Sequence, residues 1–225
     1  MANPNEHAFS LEKAQQTFLQ KVYQWMAIGL AITGFVAYSV SGNYALMRAL
    51  SGGTFFILMI AEFGLVMWLS SQAMKLSPST ALTGFLVYSA LNGLTFAYLF
   101  IVYTHTSIAT TFLITAATFA GVSVFGATTK TDLSSMRSFF VMGLIGLLVA
   151  TVVNMFLRSP ALDWLLSYLG VGLFIGLTAY DTQKLKMMQE RGFGSPQMAV
   201  MGALMLYLDF INMFLFLLRL FGRRK

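Results

Sequence analysis

The chain has 225 residues, of which 57% are hydrophobic and only 10% charged, and its mean hydropathy is +0.73. Soluble domains carry roughly 25% charged residues, so a water-facing globule is excluded and lipid is the expected solvent. The net charge of +6 does not indicate a nucleic-acid partner, because the basic residues sit singly or in pairs at the ends of apolar segments, where topology signals belong. The absence of cysteine excludes disulfides, thiol catalysis and cysteine metal sites.

In chain order, residues 1–21 form a polar tail in which Ser10 is placed to cap a short juxtamembrane helix beginning at Leu11. The tail and the long apolar run behind it lack the short apolar core of a cleaved secretory signal. A first span is predicted over residues 22–40, broken by Ser41-Gly42-Asn43. The second covers 55–69, the third 81–103 and the fourth 108–128, with a tight turn at 104–106. The fifth covers 138–157 and is stopped by Arg158-Ser159-Pro160. The sixth starts near Leu162, is apolar to Tyr180 and continues helical to about Gln189. Residues 191–196 form a loop, 197–221 the seventh span, and 222–225 a basic tail.

Most of these runs approach or exceed the length needed to cross a hydrocarbon core of about 30 Å. They are continuously apolar rather than alternating, and barrel strands would be about half as long. The predicted fold class is therefore an all-α membrane protein, a seven-transmembrane helix bundle in a single domain over residues 22–221.

Lysine and arginine placement sets the expected orientation. With the N-terminus in the cytoplasm, the inside segments hold Lys13, Lys21, Lys75, Lys130, Arg137, Lys184, Lys186 and Arg191, and the outside loops hold Arg48 and Arg158. The terminal cluster Arg219, Arg223, Arg224 and Lys225 runs against this bias. Either the tail is outside despite its charge, or the last segment is re-entrant; the internal loops favour the first.

Few ionisable residues fall inside the apolar segments. Glu62 lies midway along the second span, Asp209 near the centre of the seventh, and Asp181 where the sixth turns polar. A carboxylate at a helix centre costs about 2.5–3.5 kcal/mol on insertion scales, which is tolerated when it faces a partner or a water-filled cavity. The short loop at 191–196 makes the sixth and seventh helices adjacent and antiparallel. Asp181 and Asp209 then lie about 12 Å and about 18 Å from the same end of the helix pair, and a modest stagger brings them level. Two close carboxylates cannot both ionise cheaply, so the pair is expected to titrate as a unit and share a proton.

Plainer readings compete with this. Asp181 is also placed to snorkel near Lys184. Glu62 is also placed to hydrogen-bond a neighbouring helix, and Asn92, Asn154 and Asn212 read as interhelical hydrogen-bond formers. Asn212 follows Asp209 by three residues on the same helix face and can support its carboxylate. His7 and His105 are too isolated to make a metal site.

Leu206-Tyr207-Leu208-Asp209-Phe210-Ile211-Asn212, followed by Leu217-Leu218-Arg219, resembles the last span of the Bax inhibitor-1 family, the transmembrane Bax inhibitor motif proteins. Ala179-Tyr180-Asp181-Thr182-Gln183 resembles that family's other aspartate motif, and Lys130-Thr131-Asp132-Leu133-Ser134 its loop between spans four and five. Glu62 and Asn154 also fall at familiar places, and the compact length resembles a bacterial member. The resemblance covers nearly the whole chain. It implies a seven-helix bundle with the last helix near its centre, and a di-aspartyl pH sensor carried by Asp181 and Asp209. It further implies a pH-sensitive calcium leak and, in animals and plants, suppression of cell death. Some bacterial relatives place an arginine near the cytoplasmic end of the second helix to pair with the aspartates. Here Ser71, Gln72 and Ala73 stand there, leaving Lys75 as a looser candidate latch.

The leading expectation is a calcium-permeable leak in a bacterial inner membrane, gated by protonation of Asp181 and Asp209, with Glu62, Asn154 and Asn212 lining or supporting the path. Calcium prefers six to eight oxygen ligands, so these groups make at most a weak, transit-type site, and no tightly bound cofactor is expected. Enzymatic activity is not expected. The paired aspartates resemble those of intramembrane aspartyl proteases, but Leu206-Tyr207-Leu208 stands where glycines would let a substrate backbone approach. A non-conducting regulator that binds a membrane quality-control protease through residues 1–20, and a calcium–proton exchanger, are the alternatives.

Overall fold

The computed structural model describes residues 4–72, 75–192 and 194–225, with side chains from Phe18 onward. Its regular structure is helical. Among the described residues seven helices are long and apolar enough to cross a membrane, as expected where a segment in lipid must satisfy its backbone hydrogen bonds internally. The helices are α1 (Pro4–Ser41), α2 (Tyr44–Ala49), α3 (Gly53–Ser71), α4 (Pro78–Phe96), α5 (Leu99–Val102), α6 (His105–Thr128), α7 (Arg137–Leu157), α8 (Pro160–Glu190) and α9 (Pro196–Phe221).

The structure differs locally from the sequence reading in three places. First, the helix backbone is already continuous at Ser10, whose side chain lies outside the described ones, so Leu11 does not begin a helix; α1 runs unbroken into the first span. Second, the loop after α1 contains α2, which starts because the Asn43 side chain accepts a hydrogen bond from the Leu46 N–H at 3.1 Å. Third, the third span is interrupted. α4 begins at a Ser77 cap with Pro78 in its first turn and stops at Phe96, and the chain turns through Ala97 and Tyr98 before α5.

The chain divides into two compact units, Met1–Val102 with Leu185–Tyr207, and Tyr103–Lys184 with Leu208–Lys225. In the first unit α1 and α3 both pack on α4. At the heart of that unit the hydroxyls of Thr33 and Tyr207 lie 2.7 Å apart, and the Tyr207 ring meets Phe85 edge-on at 5.6 Å. In the second unit α6 meets α9 through Phe119 and Phe210, α7 meets α8 through Phe140 and Tyr180, and α8 meets α9 through stacked Phe174 and Phe216.

Burial is very unequal among the spans. About 72% of the apolar window of α9 is buried, against 6% for α3 and 11% for α7. A helix that is apolar on all sides can lie inside a protein or against lipid; α9 takes the first role and α3 the second. The carboxylate of Asp209 therefore rides on the most buried of the seven spans, among the described residues.

Candidate functional site

Asp181 and Asp209 both belong to the second unit and are both buried, at 9% and 5% exposure. The observed ends of α8 and α9 put Asp181 about 14 Å and Asp209 about 20 Å from the short connection between these helices. Asp181 rides on α8 and Asp209 on α9, helices that meet at Phe174 and Phe216. Lys184 lies one turn beyond Asp181 on α8, its Nζ 4.0 Å from Asp181 Oδ1, and its cation also sits 5.9 Å from the Tyr180 ring. Asp209 Oδ2 is buried with no hydrogen-bond partner among the described residues. Such a group carries the full cost of its desolvation unless something else satisfies it, and it calls for an explanation.

Two features hold this end of α8 in place. Gly126 of α6 lies directly against the backbone of Ala179, where any Cβ would collide with the Ala179 carbonyl. The close approach brings α6 onto α8 two residues before Asp181. Two residues after it, Gln183 uses both ends of its amide: Oε1 accepts from the Leu133 N–H at 2.8 Å and Nε2 donates to the Thr131 carbonyl at 2.8 Å. The loop it grips is itself ordered. Asp132 Oδ1 accepts from the Ser134 N–H at 2.9 Å and caps a 3-10 turn, Leu133–Met136. The Ser134 hydroxyl and amide hold the Asp132 carboxyl below the usual carboxylate range.

The remaining candidate residues each make local contacts of their own. Glu62 belongs to the first unit, half-buried on α3, with Thr95 of α4 beside it and its Oε1 unpartnered among the described residues. Lys75 is exposed in the turn before α4, its N–H bonded to the Gln72 carbonyl at 2.8 Å. Asn212 donates from Nδ2 to the Leu208 carbonyl of its own helix at 2.8 Å. Asn154 closes the α7–α8 turn: its Oδ1 accepts from the Ser159 N–H at 3.1 Å, close to the start of α8, whereas Asp181 lies some 30 Å further along that helix. Gln183 is a structural residue that sequence reasoning passed over; its signal was a lone primary amide beside an intramembrane carboxylate. Among the described residues no three of His, Cys, Asp and Glu come together as a metal cluster.

The fold and this buried pair define a multi-pass, all-α membrane protein with ionisable groups in its interior. The model of the family described as inhibitor of apoptosis-promoting Bax1 matches residues 15–225, and the chain belongs to that family, the Bax inhibitor-1 family. It is 47% identical to the inner membrane protein YbhL of Escherichia coli strain K12, over 93% of both chains. It is also 47% identical to a protein of Borreliella burgdorferi, over 92% of both, and 40% identical to protein RP147 of Rickettsia prowazekii, over 96% of this chain and 93% of that one.

Proposed function

We propose that the chain is a pH-sensitive leak for calcium, gated by proton sharing between Asp181 and Asp209, in a bacterial inner membrane with its N-terminus cytoplasmic. The observation that carries the reading is a buried carboxylate, Asp209, with an oxygen unpartnered among the described residues, on the helix that packs beside the one bearing a second buried carboxylate, Asp181. Protonation of the pair removes both their repulsion and their attraction for a cation, so one event alters packing and ion affinity together. The scarcity of clustered ligands among the described residues suits transit better than tight binding, since conduction requires that an ion leave as readily as it enters. The inner-membrane placement draws on the name of the Escherichia coli relative, and the orientation on the lysines and arginines of the internal loops.

The test is calcium flux into liposomes containing the purified protein, across a pH series. Flux is expected to vary with pH in the parent protein, and the variation is expected to flatten in Asp181→Asn and in Asp209→Asn. If both variants keep the parent flux and pH profile, the gate lies elsewhere. Uphill calcium movement driven by a proton gradient would replace the leak with an exchanger that uses the same pair.

A further inference from the structure

The seam between α7 and α8, within the second unit, holds two adjoining hollows. One is an apolar groove of about 520 Å³, whose lining includes Phe140, Gly143, Gly146, Ala150, Leu166 and Gly172. Gly146 and Gly172 open it, because a Cβ at either position would meet nothing within 4 Å. Its α7 wall, from Phe139 to Ala150, is about 16 Å long and starts about 12 Å from Arg158 along the helix, in the middle of a hydrocarbon core of about 30 Å. The second hollow, of about 380 Å³, shares Leu166 with the first. Its lining is basic, with Arg158, Arg219 and Arg224 around one carboxylate, Asp163.

Each arginine is positioned by a separate device. Arg158 ends α7 in the left-handed conformation, φ 50°, with its N–H on the Asn154 carbonyl at 2.7 Å. Arg219 Nη1 lies 3.3 Å from Asp163 Oδ1, and its guanidinium sits 5.3 Å from the Phe216 ring. Arg224 is brought in by the C-terminal tail, which is tied to the start of α6: the Thr104 N–H donates to the Arg223 carbonyl at 3.0 Å and the Arg223 N–H to Ser107 Oγ at 2.9 Å. Asp163 compensates Arg219. Among the described residues no carboxylate lies within ion-pairing distance of Arg158 or Arg224, so the hollow keeps an excess of positive charge. Guanidinium groups match phosphate oxygens in geometry and charge. The exposed Trp164 and Tyr168 rings, 5.8 Å apart at the same end of α8, are residues suited to the headgroup level of a bilayer.

We propose that this seam binds one anionic phospholipid, its phosphate held by Arg158, Arg219 and Arg224 and an acyl chain laid in the groove past Gly146 and Gly172. A free phosphate accounts for the arginines alone; the apolar groove that adjoins them at Leu166 and runs deeper into the core calls for a lipid chain. The site lies at the opposite end of α8 from Asp181, about 27 Å from Asp163 to Asp181 along the helix, and stands whether or not the carboxylate pair gates a leak.

The experiment is native mass spectrometry of the purified full-length chain from detergent, titrated with phosphatidylglycerol, phosphatidylcholine or inorganic phosphate. The parent protein is expected to retain phosphatidylglycerol over phosphatidylcholine. The double variant Arg158→Asn/Arg224→Gln should lose phosphatidylglycerol binding roughly tenfold or more with phosphatidylcholine unchanged; asparagine tolerates the left-handed backbone at 158. The single Arg224→Gln variant, altered only in the tail, should show a smaller loss in the same direction. Gly146→Leu, which fills the groove, should weaken phosphatidylglycerol while leaving inorganic phosphate unaffected. Equal retention of the two lipids by the parent, or parent-like phosphatidylglycerol binding by the arginine variants, overturns the site. Phosphatidylglycerol binding that is indifferent to Gly146→Leu but competed away by inorganic phosphate overturns the lipid in favour of a free anion.

Discussion

Gln183 and Leu133 are joined by a 2.8 Å hydrogen bond from the Leu133 N–H to the Gln183 amide oxygen, and the same amide donates to Thr131 at 2.8 Å. One side chain on α8 thus fixes the α6–α7 loop two residues from a buried aspartate. Gln183→Leu removes both bonds and strands the backbone N–H of Leu133. The expected loss is about 1–3 kcal/mol, read as a lower melting temperature in detergent, together with faster amide exchange across residues 131–134. Unchanged exchange there would show that the loop is held by something other than this amide.

Asp209 should separate stability from function. Its Oδ2 is buried and unpartnered among the described residues, and replacing such a group with an apolar one of similar size is often neutral or stabilising. Asp209→Leu is expected to melt at or above the temperature of the parent protein while the pH dependence of calcium flux disappears. A fall in melting temperature would mean that the carboxylate is held by favourable contacts and is retained for structure.

Two glycines on α6 should respond in opposite ways. At Gly126 an added methyl would strike the backbone of Ala179, so Gly126→Ala forces α6 off α8 and should cost about 1–3 kcal/mol. At Gly121 nothing lies within 4 Å, and Gly121→Ala should be neutral or gain up to about 1 kcal/mol from helix propensity. Paired thermal melts in one detergent check both signs.

In the first unit, Thr33 Oγ1 lies 2.8 Å from the Ser89 carbonyl, 3.0 Å from the Gly29 carbonyl and 2.7 Å from the Tyr207 hydroxyl. The threonine hydrogen serves a carbonyl, which leaves the Tyr207 hydroxyl to donate to Thr33. Tyr207→Phe removes one bond and leaves Thr33 satisfied, for about 0.5–1.5 kcal/mol. Thr33→Val removes the same bond but leaves the buried Tyr207 hydroxyl with the Ser89 side chain as its remaining partner, and should cost about as much. A much larger loss for Thr33→Val in thermal melts would mean that Ser89 does not hold the tyrosine hydroxyl once Thr33 is gone.

Sequence alone determined the solvent of this protein and its seven spans, because lipid admits only segments that close their own backbone hydrogen bonds and are apolar enough to stay there. It also singled out Asp181 and Asp209, since a carboxylate in such a segment stands out by its cost, and the short loop made the helices that carry them neighbours. Other features depended on contacts that no local pattern carries. The amide of Gln183 finds its partners fifty residues earlier in the chain. Arg158, Arg219 and Arg224 read as scattered topology signals until a turn, a helix end and a tied-back tail gather them around one hollow. Hydropathy is indifferent to how each helix is rotated when nearly every face is apolar, so which helix is buried, and which residues meet across a seam, was decided only by packing.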